Sequence, residues 1–141
     1  MAALVVSSAL PFVPVARAGA VGTQVWVGPG ASWPDYNEKP IACVRGGIGV
    51  LLADHFTLGA SGQADREHSY YFADASVIFP PVGLLEPYAR FQFGRRDHSG
   101  DDAMGGSAGV RIGEDAIRLF AEGYWIFEPE DNYGVVFGIS F

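Results

Sequence analysis

The sequence predicts an all-β chain whose eight antiparallel strands run up and down and close into a barrel. Three observations predict it. Beyond residue 20, eight runs with period-two alternation follow one another between turn residues, with no heptad and no helix-length amphipathic pattern. The connections between runs alternate between tight turns and long or charged loops. Each run also has one bulky apolar face and one mixed face, where glycine, aromatics and single charges share the positions.

The first run, 21–28, stops at Pro29-Gly30, a turn pair, and the long PGASWPDYNEKP fills 29–40. The second, 41–52, places Val44, Gly46, Ile48, Val50 and Leu52 on one face and Arg45 on the other, and ADH at 53–55 ends it. The third, 56–64, leads into the charged DREH at 65–68. Asp74 lies on the mixed face of the fourth, 69–79, which PPVGL at 80–84 closes. In the fifth, 85–96, Leu85, Pro87, Ala89, Phe91 and Phe93 oppose Glu86, Tyr88, Arg90, Gln92 and Gly94. DHSGDD at 97–102 precedes the sixth, 105–113, whose mixed face holds Arg111. GED at 113–115 is the next short turn. The seventh run, 116–127, sets Ile117, Leu119, Ala121, Gly123, Trp125 and Phe127 against Arg118, Phe120, Glu122, Tyr124 and Ile126. EPED at 128–131 leads to the eighth, 132–141. In a meander every second connection lies at the same end, so the acidic loops share one end while the tight turns and both termini share the other.

Two architectures place these faces oppositely. A soluble ligand-binding barrel turns its apolar side inward; a membrane barrel turns it to lipid and fills the interior with polar groups. The mixed faces carry Arg45, Asp74, Glu86, Arg90, Arg111, Arg118 and Glu122, four cations and three anions spread singly over five runs, with no lysine among them. Arginine without lysine suits a confined network, because the guanidinium stays charged and offers a rigid fork of donors. Buried charges need partners, and nearly balanced signs supply them. Glu86, Arg111 and Arg118 fall toward the tight-turn end, the other four nearer the middle. Gly47, Gly49, Gly59, Gly94, Gly109, Gly134 and Gly138 then leave room for long side chains. The fold class expected is therefore an eight-stranded antiparallel up-and-down transmembrane β-barrel, plugged by a charge network.

The aromatics agree with this orientation. Tyr71 and Phe79 stand eight residues apart on one apolar face, as do Tyr133 and Phe141. That separation is ~20 Å along a tilted strand, near the ~25 Å apolar band between the two aromatic girdles of a membrane barrel. Trp125 and Phe127 join the loop-end girdle, Phe56 the turn-end one. The sequence ends NYGVVFGISF, with Tyr133, Val135, Phe137, Ile139 and Phe141 at alternate positions. This resembles the terminal strand signature of bacterial outer-membrane proteins, and residues 19–141 resemble the small eight-stranded barrels of the outer membrane protein A transmembrane-domain type. The resemblance implies outer-membrane lipid around a monomer, and barrel-assembly machinery that reads the last strand. It also implies periplasmic termini, and roles in envelope integrity, adhesion or surface interaction.

Composition bounds the rest. A length of 141 residues makes one domain. Charged residues are scarce at 18%, and the net charge of −7 disfavours nucleic acid. The single Cys43 excludes an internal disulfide and is expected inside as a small packed residue. Residues 1–18 read as a signal peptide ending Ala16-Arg17-Ala18; because no Lys or Arg precedes the apolar run, either the true start lies upstream of Met1 or the stretch is not a signal but a short buried strand or helix.

Some barrels of this size are deacylases that use a His and a Ser two apart. Here His98-Ser99 and His68-Ser69 are adjacent, so no catalytic residue is assigned. Asp97, His98, Asp101 and Asp102, with Glu128, Glu130 and Asp131, are read as solvated loop acids rather than a Ca²⁺ site, and no metal or cofactor is expected. The expected function is structural or surface-interacting. A soluble secreted ligand-binding barrel and a lipid-A-modifying enzyme are the alternatives.

Overall fold

The computed structural model describes residues 21–34, 39–113 and 116–141. The proposed signal peptide and the acidic pair Glu114-Asp115 lie outside these residues. Eight strands form one closed antiparallel barrel in chain order. They are β1 (Val21–Pro34), β2 (Ile41–Leu52), β3 (Phe56–Ala64), β4 (Ser69–Ile78), β5 (Leu85–Arg96), β6 (Asp102–Ile112), β7 (Arg118–Glu128) and β8 (Asn132–Ser140). Exposure alternates along the strands, most sharply in β4, which buries Tyr70, Phe72, Asp74 and Ser76 and exposes Tyr71, Ala73 and Val77.

The closure can be followed through paired residues. A line leaving β1 at Thr23 passes Val50, Leu58, Ala75, Phe91, Gly106, Trp125 and Tyr133 and returns to β1 at Trp33, ten residues further on. With eight strands ~4.8 Å apart and ~3.3 Å of rise per residue, that stagger requires a tilt of about 40° and a radius of ~8 Å. A tube that narrow is filled by its own side chains.

Two strands run longer than the sequence reading placed them. β1 continues past Pro29-Gly30 to Pro34, because Gly30, Ser32 and Trp33 pair with Val136, Gly134 and Tyr133 to close the barrel. The proline still leaves a mark. The ladder to β8 skips Gly28 and Pro29, while the ladder to β2 runs on without a break; proline brings no N–H to either side. β6 likewise begins at Asp102 rather than Gly105, since Asp102 and Ala103 pair with Arg95 and Gly94 and Ala103 is fully buried. In contrast, β4, β6, β7 and β8 each stop or start one or two residues inside their expected turn-end limits.

The tight turns use left-handed backbone where they reverse: Ala53 and Asp54 between β2 and β3, and Gly83 between β4 and β5. Inside, glycine makes space. A Cβ on Gly109 would lie 2.8 Å from Tyr88 Oη, and one on Gly134 would lie 2.6 Å from Tyr124 Oη. Those two tyrosines can cross the interior only because the facing positions are bare.

Candidate functional site in the barrel interior and at its ends

The inward positions of β2, β5 and β7 meet at mid-height. Arg45 (1% exposed) and Arg90 both pair with Glu122 (2% exposed), at 3.4 and 3.1 Å. Tyr88 Oη donates to the second Glu122 oxygen at 2.7 Å. Arg45 also donates to Gln92 at 2.5 Å, and Gln92 donates to Ser61 at 2.7 Å. Each guanidinium lies over an aromatic ring, Arg45 over Tyr124 and Arg90 over Trp26, both 4.1 Å from the centroid. Such stacking favours a weakly hydrated planar cation. Asp74 is buried at the same level, opposite Gln92 across the β4–β5 ladder. Its Oδ2 has no hydrogen-bond partner among the described residues.

A second charge layer sits at the tight-turn end. Glu86 Oε1 accepts from Arg118 at 2.9 Å and pairs with Arg111 through the same oxygen. Arg111 is buried, whereas the Arg118 side chain is about one-third exposed at the rim. All seven residues expected on the mixed faces therefore point inward, in two separate layers.

At the loop end, Arg96 pairs with Asp101 at 2.9 Å and Glu130 at 3.3 Å, linking the 97–101 and 129–131 connections. Asp65 accepts from Ser32 at 3.3 Å and caps the backbone of Glu67 and His68 at 2.7 Å each. Arg66, Asp97, Asp101, Asp102, Glu128 and Glu130 are exposed there. His98 is exposed, has a left-handed backbone and faces Asp97 at 3.5 Å, while Ser99 Oγ accepts from Arg96. Among the described residues the His98 imidazole is turned to Asp97 and the Ser99 hydroxyl to Arg96. Among the described residues no group of three or more His, Cys, Asp or Glu converges to hold a metal.

The outer surface carries the large apolar residues. Phe56, Phe79, Tyr71, Trp125, Phe127, Tyr133, Val135, Phe137 and Ile139 are all exposed, and Phe141 is half-buried. On the tilted lattice, Phe56, Phe79 and Phe141 share one height and Tyr71, Trp125, Phe127 and Tyr133 another, ~20 Å above. Ile48, Phe91 and Phe137 fall between the two belts. Val135 sits close beneath the upper one. The Phe141 backbone pairs with Val25 in both directions, at 2.7 and 3.2 Å, so the last residue belongs to the closing seam.

The sequence reading missed several contributors. Trp33 stacks on Tyr133 at 5.7 Å and joins the upper belt; ending the first run at Gly28 hid it, although Trp33 keeps the parity of Val27. Tyr88, Gln92 and Tyr124 were placed on the mixed faces but not in the charge network to which they belong; Ser61 joins it from β3, whose inward face carries no charge that could have signalled it. Cys43 is buried with its Sγ 3.6 Å from Tyr124 Oη.

No sequence model of a known protein family matches the chain, and no curated protein matches it in sequence. Solved structures do match in fold. A de novo designed transmembrane β-barrel is 17% identical over 85% of this chain and 94% of its own, with a TM-score of 0.67. Neisserial surface protein A is 14% identical over 86% and 96%, with a TM-score of 0.61. Ail, the attachment invasion locus protein of Yersinia pestis, solved with the heparin analogue sucrose octasulfate, is 12% identical over 84% and 97%, with a TM-score of 0.53. Eight antiparallel strands, closure of the last on the first and the likeness to these structures together give this chain the fold of the small outer-membrane β-barrels.

Proposed function

We propose that the chain is an integral outer-membrane barrel with a structural and surface-interaction role, its interior plugged by the Arg45–Glu122–Arg90 network and its acidic loops outside the cell. The observation that carries this reading is the inverted polarity: ionised side chains are buried in the tube while large apolar residues cover its outside. Water would leave such a continuous apolar belt unstable on a monomer; lipid removes that cost. A soluble ligand-binding barrel needs the opposite arrangement.

The loops set the kind of partner. Asp97, Asp101, Asp102, Glu128, Glu130 and Asp131, with Asp65 and Glu67, outnumber Lys39, Arg66, Arg95 and Arg96 at that end. This sign suits a basic partner surface rather than a polyanion of the kind seen with Ail. We read the chain as non-enzymatic: at the loop end Asp65 meets both Ser32 and His68, but His68 Nδ1 has no hydrogen-bond partner among the described residues. Termini in the periplasm follow from the same orientation.

An epitope inserted at Gly100, in a loop with open space around it, tests the orientation. Antibody is expected to label intact cells through Gly100, and to reach an epitope at Gly83 only after the outer membrane is permeabilised. The reverse pattern would place the acidic loops inside and remove the surface role. In planar bilayers the plugged interior predicts no steady porin-sized conductance.

A further inference from the structure

The turn-end charge layer does more than close the tube. Below it the interior opens into a cup of ≈ 370 Å³, lined by Thr23, Gln24, Glu86, Arg111, Arg118 and Ser140, with exposed Asp54 at its rim. The cup is a dead end. Above it the interior narrows to ≈ 10 Å³ among Trp26, Ile78, Tyr88 and Phe120, about the room of one water.

Two features of this cup are left over by the fold. Two guanidiniums share a single carboxylate oxygen, Glu86 Oε1, so among the described inward-facing side chains of the layer there is one positive charge in excess, before the exposed Asp54 at the rim is counted. The mid-height layer cannot offset it, since Arg45 and Arg90 are already matched by Glu122 and Asp74. In addition, Arg111 is 8% exposed and lines the cup, yet among the described residues its Nε has no hydrogen-bond partner. A buried charged donor left unpaired is costly. An oxyanion in the cup would accept from it while neutralising the excess charge.

We propose that the turn-end cup binds a phosphate group, held by the guanidiniums of Arg111 and Arg118. Guanidinium forks match the spacing of phosphate oxygens, and the cup has room for a substituent on the phosphate. The excess charge gives the site its sign, and Glu86 acts as a resident competitor. Removing that carboxylate therefore strengthens binding.

Inorganic phosphate titrated onto the purified chain in detergent micelles tests this, by calorimetry and by the midpoint of thermal unfolding, against sodium chloride of equal ionic strength. Saturable binding is expected, with Glu86→Gln tightening it and Arg118→Gln weakening it about tenfold. Arg118 is at the rim, so its variant tests the site even if Arg111→Gln fails to fold. Glycerol phosphate binding as well as inorganic phosphate identifies a site open to substituted phosphates; loss of binding with the ester restricts it to the free ion. Equal stabilisation by sodium chloride, or binding unchanged by both Glu86→Gln and Arg118→Gln, overturns the proposal.

Discussion

Replacing Glu122 with Gln is expected to destabilise the barrel by about 3–5 kcal/mol, the cost of removing one partner from a buried ion cluster. Among the described residues Glu122 is the one carboxylate within 4.0 Å of both Arg45 and Arg90, and it also accepts from Tyr88. A glutamine keeps the shape and an acceptor for the tyrosine but withdraws the charge. Two guanidiniums then remain buried with only Asp74 to offset them. Their rings, Tyr124 and Trp26, supply ~0.5–2 kcal/mol each, too little to compensate for the missing carboxylate. The loss is therefore larger than a deleted neutral hydrogen bond, which costs ~1 kcal/mol. The shift in urea midpoint for unfolding from micelles measures it. Replacing the whole cluster, Arg45→Met, Glu122→Leu and Arg90→Leu together, should recover most of the stability, because no charge is then buried. If the Glu122→Gln variant unfolds within ~0.5 kcal/mol of the parent, the mid-height cluster is not what holds the interior.

The second large effect is on the opposite face. Ile48 is 61% exposed on β2, between the two aromatic belts. Ile48→Arg is expected to cost ~2–4 kcal/mol in lipid, the depth-dependent penalty for arginine near the midplane of a membrane barrel. On a water-solvated surface the same change stays within about 0.5 kcal/mol. The contrast is useful because Ile48 points away from the interior network, so packing inside the tube does not contribute. Folding into lipid vesicles, followed by tryptophan fluorescence across a urea series, gives the number. A neutral result would put Ile48 in water.

Most of the architecture was legible because one physical rule, alternation, fixes both strand and face. Once Arg45, Arg90, Arg111, Arg118 and Glu122 were placed on mixed faces, the parity of their neighbours followed, and the structure keeps it except at the loop end of β7, where a register shift leaves Phe127 and Glu128 both exposed. The errors came where local turn chemistry and tertiary pairing disagree. Pro29-Gly30 and the Asp-Gly-rich stretch before Gly105 read as loop, yet β8 and β5 capture Gly30 and Asp102 into ladders. Barrel closure demands those pairs, and no local window contains that demand. Which charges pair was legible only as two groups along the tube. That Glu122 bridges two arginines at mid-height, and that Glu86 Oε1 serves both Arg111 and Arg118, depends on the ten-residue stagger, which emerges only when all eight ladders are joined. The uneven share of partners, with Arg111 Nε and Asp74 Oδ2 left over, is likewise a property of the assembled tube.

The central claim is that this tube closes in a membrane with its charges inside. The most direct measurement expresses the chain in a bacterium with an outer membrane, fractionates the envelope, and compares its migration on a denaturing gel with and without boiling. The account predicts recovery in the outer-membrane fraction and a mobility that changes on boiling, as a closed barrel unfolds only with heat. A soluble protein whose mobility is the same before and after boiling would contradict it.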